Sequence, residues 1–161
     1  MSDITSSPRI IGVIDHLAVA VTDADRAAAG FHALLGYRVV GDEQVEAAGV
    51  RLVYLAPDQV EDTIAEAPTT LQLVQPIAPG RVADFLSGHG EGLHHVCFRT
   101  TDIERALRHA GRPQPDVAIF SGGRGRPCAF LSEQPHGVLI EFTEIPAIPT
   151  IPVHASTMEG S

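Results

Sequence analysis

Hydrophobic and polar residues alternate over several short stretches of the chain and predict strands grouped around one helix. The run IIGVIDHLAVAV predicts a buried strand, and DADRAAAGFHALLG has helical spacing, with Thr22 or Asp23 as its cap and Gly36 at its end. YRVVGDEQV and GVRLVYLAP predict two strands with turns near Gly41 and Gly49, and LQLVQPI predicts one more. The first half of the chain therefore has the order strand, helix and three strands.

The second half of the chain repeats this order. LHHVCFRT predicts a strand, DIERALRHAG a helix capped by Thr101 or Asp102, and VAIFSGG, RPCAFLS and GVLIEFTEI three further strands. VADFLSGHG, between the halves, predicts a short helix. We expect a first module over residues 10–78, a connecting segment over 79–92, a second module over 93–145 and an extended, proline-rich tail over 146–161.

A gapless internal match supports the repeat and places polar side chains at equivalent points of the two halves. The stretch IDHLAVAVTDADRAA aligns with LHHVCFRTTDIERAL, so that His16 matches His95 at an offset of 79 positions. Later in each half LQLVQP aligns with IEFTEIP, and Gln72 matches Glu141. Two units that cannot each bury a hydrophobic face alone would pack together and bring these four side chains to one centre.

Length, charge and cysteine content narrow the classes of function. A chain of 161 residues has the size of one compact domain, or of two small units that share a core. The net charge of −9 argues against a nucleic-acid partner and requires a local cluster of arginines if the ligand is an anion. The two cysteines lack metal-type spacing and the N-terminus lacks an apolar segment, which favours a cytoplasmic protein with no membrane partner.

His16, Gln72, His95 and Glu141 are candidate metal ligands because each is a polar residue in an otherwise apolar strand. Burial without a partner costs roughly 2–7 kcal/mol for each polar group, and a shared divalent cation would satisfy all four. Two imidazoles, a carboxylate and an amide oxygen suit Co²⁺, Mn²⁺, Fe²⁺, Ni²⁺ or Zn²⁺ better than Ca²⁺. The alternative is a hydrogen-bonded polar core, with Glu141 paired to an arginine. The matched positions of the four residues favour the metal.

These residues carry a resemblance to the vicinal oxygen chelate superfamily and, within it, to methylmalonyl-CoA epimerases. The similar segments lie between Ile14 and Thr143 and read IDHLAVAV, LLGYRVVGDEQVEAAGVRLVYL, LQLVQP, VADFLSGHGEGLHHVCFRTTDIERAL, GGRGRPCAFL and GVLIEF. GEGLHHV followed by GVLIE is fairly specific to those epimerases. The resemblance implies an α+β fold in which two paired βαβββ modules form a cupped, mixed β-sheet around a metal held by the four candidate ligands.

The resemblance also implies a reaction at that metal. The metal would chelate a 2-methylmalonyl thioester, and two acid/base groups on opposite faces would move the α-proton through an enolate. Glu141 is implied as one of these groups. The bacterial epimerases carry the other as a Glu at a position that is Leu52 here, and Tyr54, on the same strand face, is the candidate substitute. His94 is expected to point to the opposite face and to be structural.

Other residues are candidates for substrate binding. Arg124 and Arg126, in the glycine-rich GGRGRP segment, are placed to contact a phosphate or carboxylate, or else they lie in a solvated turn. Leu52 would line the acyl site. Cys97 shares the face of His95 and is either near the metal or simply a small buried residue. For Tyr54 the alternative is an aromatic core residue.

We therefore favour a metal-dependent epimerase or related isomerase of an acyl-CoA-type thioester, and the resemblance alone implies a homodimer. SEQPHG is shorter than the corresponding epimerase loop and lacks its lysine, so the acyl or CoA end of the site differs. Two alternatives stay open: another superfamily enzyme, such as a glyoxalase-type isomerase or an enzyme of specialised metabolism, and a non-catalytic, resistance-type binding protein. The complete set of four candidate ligands argues against a binding protein, because such members of the superfamily generally lack it. Leu52 argues for one, because its side chain cannot transfer a proton.

Overall fold

A computed structural model describes residues 10–57, 69–110 and 117–146. The predicted tail, apart from Pro146, lies outside the described residues, as does most of the polar stretch before the fourth strand. The helices and strands are, in chain order, β1 (Ile11–Ala20), α1 (Ala24–Leu35), β2 (Tyr37–Val45), β3 (Val50–Pro57), β4 (Thr70–Pro76), α2 (Arg81–His89), β5 (Gly92–Thr100), α3 (Ile103–His109), β6 (Phe120–Ser121), β7 (Pro127–Phe130) and β8 (Ile140–Glu144). The order β-α-β-β-β occurs twice, as the hydrophobic pattern predicts.

The eight described strands form one mixed sheet in the order β2-β3-β4-β1-β5-β8-β7-β6, curled into a half-barrel. Within each module the first strand pairs in parallel with the last: β1 with β4, and β5 with β8. The modules meet where β1 pairs antiparallel with β5. The predicted fold class of two paired βαβββ modules is therefore confirmed, and a pseudo-twofold axis passes between β1 and β5.

The helices cover one face of the sheet, and the other face lines the inside of the half-barrel. On β3, Val53 and Leu55 belong to a hydrophobic cluster that packs under α1, and the second module repeats this arrangement with Phe142 under α3. Leu52 and Tyr54 alternate with them and face the inside of the half-barrel. The helices thus cover the outer face and leave the inner face for a site.

Each module begins its helix with the same pair of caps. The side chains of Asp23 and Asp102 accept hydrogen bonds from the third residue of α1 and of α3, which decides between the two cap candidates in each half. A second cap comes from the end of the last strand: Gln75 Oε1 accepts from Ala24 N at 2.9 Å, and Glu144 Oε2 accepts from Ile103 N at 2.8 Å. The duplication therefore extends to hydrogen bonds between elements distant in sequence.

Two sequence-based expectations for strand boundaries were wrong. β2 continues through Gly41 without a turn, because the register shifts there by one residue, and a Cβ on Gly41 would lie 3.1 Å from the Tyr54 ring. The strand predicted over VAIFSGG is short and covers only Phe120–Ser121. The turn near Gly49 is confirmed, with Gly49 in the left-handed region at φ 64°.

Candidate active site

The inner face of the half-barrel encloses a cavity of about 360 Å³. All four predicted metal ligands line it and are buried: His16 and Gln72 from the first module, His95 and Glu141 from the second. They lie on β1, β4, β5 and β8, the four central strands of the sheet. The fold thus brings the four side chains to one cavity wall.

Matched β-bulges turn two consecutive residues of each central strand inward. Between β1 and β5 the register skips Asp15 on one strand and His94 on the other, and all four residues, Asp15, His16, His94 and His95, are buried. The expectation that His94 points to the opposite face was therefore wrong. Strict alternation would place it there, but the bulge brings it into the cavity lining beside His95.

The two candidate ligand histidines converge on one carboxylate oxygen. His16 Nε2 and His95 Nε2 lie 3.3 and 3.1 Å from Glu141 Oε2. Although these contacts are short, neither nitrogen has a hydrogen-bond partner of adequate geometry among the described residues. Donors about 2.1 Å from one cation, at right angles to each other, lie about 3.0 Å apart. Each nitrogen–oxygen separation is therefore close to that of two donors on one divalent metal, which would also satisfy the unpartnered nitrogens.

Each candidate ligand histidine is oriented by the residue before it. His16 Nδ1 lies 2.7 Å from Asp15 Oδ2, and His95 Nδ1 lies 2.8 Å from His94 Nδ1. A hydrogen bond at Nδ1 leaves Nε2 as the nitrogen that faces Glu141, and it fixes the ring plane. The bulges therefore supply both the candidate ligands and the groups that orient them.

The charges at the site are strongly perturbed. Burial would raise the pKa of Glu141, but the adjacent imidazoles of His16 and His95 outweigh it and lower the pKa to about 2. Burial would likewise raise the pKa of Asp15, yet hydrogen bonds from His16 and Arg99 hold it well below its usual range. For His94, burial and the neighbouring His95 lower the pKa to about 4. The site thus combines anionic carboxylates with a neutral His94 at neutral pH.

Gln72 lies beside Tyr54 in the wall of the cavity. The two residues are direct cross-strand partners. The Tyr54 hydroxyl donates to Glu43 Oε1 at 2.9 Å. Burial and the carboxylate of Glu43 raise the pKa of Tyr54 well above its usual value. The residue predicted as an acid/base group is therefore a neutral phenol at the cavity wall, hydrogen-bonded to a carboxylate.

Both arginines of the glycine-rich segment line the cavity. Arg124 Nη1 and Arg126 Nη1 each lie 3.6 Å from a carboxylate oxygen of Asp15, and Arg81 lines the same cavity. The Arg124 guanidinium also stacks on the Tyr54 ring at 4.2 Å. Asp15 bears one negative charge, so this wall of the cavity has positive charge left for an anionic ligand despite the net charge of the chain.

Of the other two residues predicted to bind substrate, Leu52 lines the cavity and Cys97 does not. Leu52 lines the cavity, where it forms an apolar wall with Val50 and Val74. Cys97 is completely buried and is not among the residues that line the cavity. One ligand atom each of His16, Cys97 and Glu141 lie within 4.8 Å of one another, so Cys97 lies close to the candidate metal centre without lining the cavity.

Sequence reasoning missed Asp15 and Glu43. Asp15 precedes His16 as His94 precedes His95, so the internal match does align them, but alternation assigns both to the outer face. Glu43 lies in a strand of mixed polarity, and only the pairing of β2 with β3 brings it beside Tyr54.

No helix of the described ranges is long and apolar enough to cross a membrane.

Comparisons with known sequences agree with this architecture. Residues 15–130 match the family model described as "Glyoxalase/Bleomycin resistance protein/Dioxygenase superfamily". The chain is 27% identical over 147 residues to an ethylmalonyl-CoA/methylmalonyl-CoA epimerase of Cereibacter sphaeroides, covering 84% of this chain and 100% of the relative. It is 26% identical over 152 residues to the human mitochondrial methylmalonyl-CoA epimerase, covering 89% of this chain and 80% of the relative.

Solved structures of epimerases also resemble the chain closely. A single-residue variant of Streptomyces coelicolor methylmalonyl-CoA epimerase, in complex with 2-nitronate-propionyl-CoA, superposes with a TM-score of 0.70 and 32% identity, covering 85% of this chain and 99% of that one. Mycobacterium tuberculosis methylmalonyl-CoA epimerase gives a TM-score of 0.70 and 27% identity, covering 88% and 93%. From the matched family model and the duplicated βαβββ architecture, the chain belongs to the glyoxalase/bleomycin resistance protein/dioxygenase superfamily.

Proposed function

We propose that the chain is a metal-dependent epimerase that forms an enolate from an acyl-CoA-type thioester, as methylmalonyl-CoA epimerases do. The observation that carries this proposal is the convergence of two unpartnered imidazole nitrogens on Glu141 at a cavity that arginines also line. His16, Gln72, His95 and Glu141 would hold the metal. The mixed nitrogen and oxygen donors favour Co²⁺, Mn²⁺, Fe²⁺, Ni²⁺ or Zn²⁺.

The donor set suits the chemistry of an enolate. A bound divalent cation would act as a Lewis acid that stabilises negative charge on two neighbouring oxygens of the substrate. Asp15 and His94 hold the imidazole rings so that the Nε2 atoms stay directed at that position. Apolar side chains of the inner face line the same cavity, and an apolar lining strengthens the electrostatic interactions of a site.

The cavity wall supports an anionic acyl group as the substrate. Arg124 and Arg126 supply positive charge beside the candidate metal centre and would bind the free carboxylate of a malonyl-type thioester. Leu52, Val50 and Val74 form the apolar surface for a 2-alkyl substituent. Relatives named as acting on ethylmalonyl-CoA and methylmalonyl-CoA support this substrate class.

Proton transfer needs a group on each face of the enolate. Glu141, on β8 of the second module, is the proposed group on one face. Tyr54, on β3 of the first module, is the proposed group on the other. Because the two side chains come from opposite halves of the half-barrel, a planar enolate between them would be reached from both sides.

The proposal is tested by deuterium uptake at the α-carbon of methylmalonyl-CoA in D₂O, measured by mass spectrometry. Protein loaded with Co²⁺ should exchange the α-proton far faster than the spontaneous rate, and EDTA-treated protein should not. His16→Ala should lower both the stoichiometry of bound metal and the exchange rate, because it removes one donor of the proposed shell.

The controls separate the alternatives. Glu46→Gln, at an exposed position of the turn between β2 and β3, should leave metal content and exchange unchanged. Protein that gains no transition metal on dialysis would contradict the proposed ligand set. Protein that binds metal but does not exchange methylmalonyl-CoA or ethylmalonyl-CoA would instead support another enzyme of the superfamily or a binding protein.

A further inference from the structure

We propose that Glu43, acting through the Tyr54 hydroxyl, is the proton acceptor on the face of the substrate opposite Glu141. This inference rests on the proposed function, because it concerns the second proton transfer of an epimerisation. It deepens that proposal by naming a residue on β2 that does not line the cavity and is connected to it through the hydroxyl of Tyr54.

Glu43 lies next to the apolar position on β3. It is the direct cross-strand partner of Leu52, and side chains of such a pair project from the same face about 5 Å apart. Its carboxylate extends past Leu52 and accepts the hydrogen bond of Tyr54 Oη at 2.9 Å. The pairing of β2 with β3 thus places the carboxylate of Glu43 beside Leu52, whose own side chain cannot carry a proton.

The second module holds this carboxylate in place. The backbone N–H of Arg124 donates to Glu43 Oε1 at 2.6 Å, and Arg124 adopts a left-handed conformation at φ 60°. A non-glycine residue in this region costs about 1–3 kcal/mol and persists where its surroundings require it. A Cβ on the preceding Gly123 would collide with Tyr54 Oη and lie 2.8 Å from Leu52. The loop therefore closes tightly over the Glu43–Tyr54 pair.

Other titratable groups of the cavity are less suited to this role. Asp15 is engaged by His16 and Arg99, and it has Arg124 and Arg126 close by. The thiol of Cys128 is directed to the hydroxyl of Thr143 at 3.4 Å. Tyr54 combines a place in the cavity wall with a hydrogen bond to a half-buried carboxylate outside the candidate metal centre.

The proposed step is balanced in protons and charge. The α-carbon–hydrogen bond breaks, its electron pair moves into the enolate, and its proton goes to Tyr54 Oη. The hydroxyl proton of Tyr54 passes at the same time to Glu43 Oε1, so that the phenol stays neutral and Glu43 becomes a carboxylic acid. The enolate takes its proton on the other face from solvent by way of Glu141, which binds that proton and passes it on, so that Glu141 is a carboxylate before and after the step. Glu43 then releases its proton to solvent. The opposite epimer reacts by the reverse sequence.

The test measures each face separately. Purified 2R and 2S methylmalonyl-CoA are incubated in turn with the metal-loaded enzyme in D₂O, and the initial rate of deuterium uptake is measured by mass spectrometry. Glu43→Gln should slow the exchange of one epimer by about 100-fold or more, the usual contribution of a general base, and that of the other by less than about threefold. Bound metal should stay at the wild-type stoichiometry.

Two further variants make the result specific. Tyr54→Phe should give the same epimer preference, and the double variant should be no slower than the slower single variant, because the two residues would act as one unit. Glu46→Gln is the matched control from the same end of the hairpin and should change neither rate.

Equal slowing of both epimers, or loss of metal in Glu43→Gln, would show that the pair only orients Gln72, and it would overturn the inference while leaving the proposed function intact. If metal-loaded wild-type enzyme exchanges neither epimer, the proposed function itself fails and the inference fails with it.

Discussion

At the scale of single residues, Asp15 contacts the candidate metal centre without being one of its proposed ligands. It is buried, accepts from Arg99 Nε at 2.9 Å and lies 2.7 Å from His16 Nδ1. A buried carboxylate is tolerated only where such partners compensate its lost hydration. Asp15 therefore both pairs with an arginine and orients the imidazole ring of His16, a candidate ligand.

We expect Asp15→Asn to weaken metal binding by about tenfold, the lower end of the 10–100-fold range for groups that orient a ligand, because the amide keeps the shape but loses the charge. The measurement is a metal titration against a competing chelator. Glu104→Gln, an exposed carboxylate on α3, is the control and should bind metal as the wild type does. Unchanged affinity in Asp15→Asn would show that His16 needs no orienting partner.

At the scale of elements, the two modules use the same devices with different residues. Each module turns its first strand inward at a bulge, caps its first helix with an aspartate and caps it again from the end of its last strand. Gln75 accepts the hydrogen bond from the first N–H of α1 in one module, and Glu144 accepts the equivalent bond from α3 in the other. The repeat therefore preserves backbone geometry and hydrogen-bond roles more strictly than residue identity, which explains why the internal sequence match is faint.

Removal of either aspartate cap should lower the free energy of unfolding by about 1 kcal/mol, because a backbone N–H of the first helical turn loses its acceptor. Asp23→Ala and Asp102→Ala are compared with wild type by urea denaturation. Their effects should add in the double variant, since the caps lie in different modules and share no partner. Glu46→Ala, an exposed residue without a cap role, should cost less than about 0.5 kcal/mol.

At the scale of the whole molecule, the two modules share one sheet and one cavity. β1 and β5 form its central pair, and the candidate ligands divide evenly between the modules. Neither module can assemble the proposed metal shell by itself. The expected homodimer and cytoplasmic location stay predictions that these intramolecular features do not test.

The shared sheet predicts one cooperative unfolding transition. The chain has two tyrosines and no tryptophan, and both Tyr37 and Tyr54 lie in the first module, so tyrosine fluorescence reports on that module while far-ultraviolet circular dichroism reports on both. The two urea curves should coincide, because loss of the β1–β5 pairing exposes both halves of the core. A fluorescence transition that precedes the dichroism transition would show that the modules unfold independently.

Much of this architecture follows from periodicity and repetition in the chain. Strand alternation and helical spacing predict the two βαβββ units, and the matched positions of His16, Gln72, His95 and Glu141 predict their common cavity. These patterns are local, or they recur at a constant offset, so they can be read without knowledge of the fold.

The inward turn of Asp15 and His94, and the contact of Glu43 with Tyr54, are decided only by tertiary structure. The first depends on a register between β1 and β5 that skips Asp15 on one strand and His94 on the other, and a skipped residue breaks the alternation from which side-chain direction is predicted. The second depends on the pairing of two strands and on a loop from the other module that closes over them. By itself the sequence determined the modules and the four candidate ligands, because periodicity and repetition are local. Asp15 and His94, which orient those ligands, and the pair Glu43–Tyr54, which is proposed to move protons, could not be identified in this way. Their contacts join different strands or different modules, and such contacts form only when the sheet assembles.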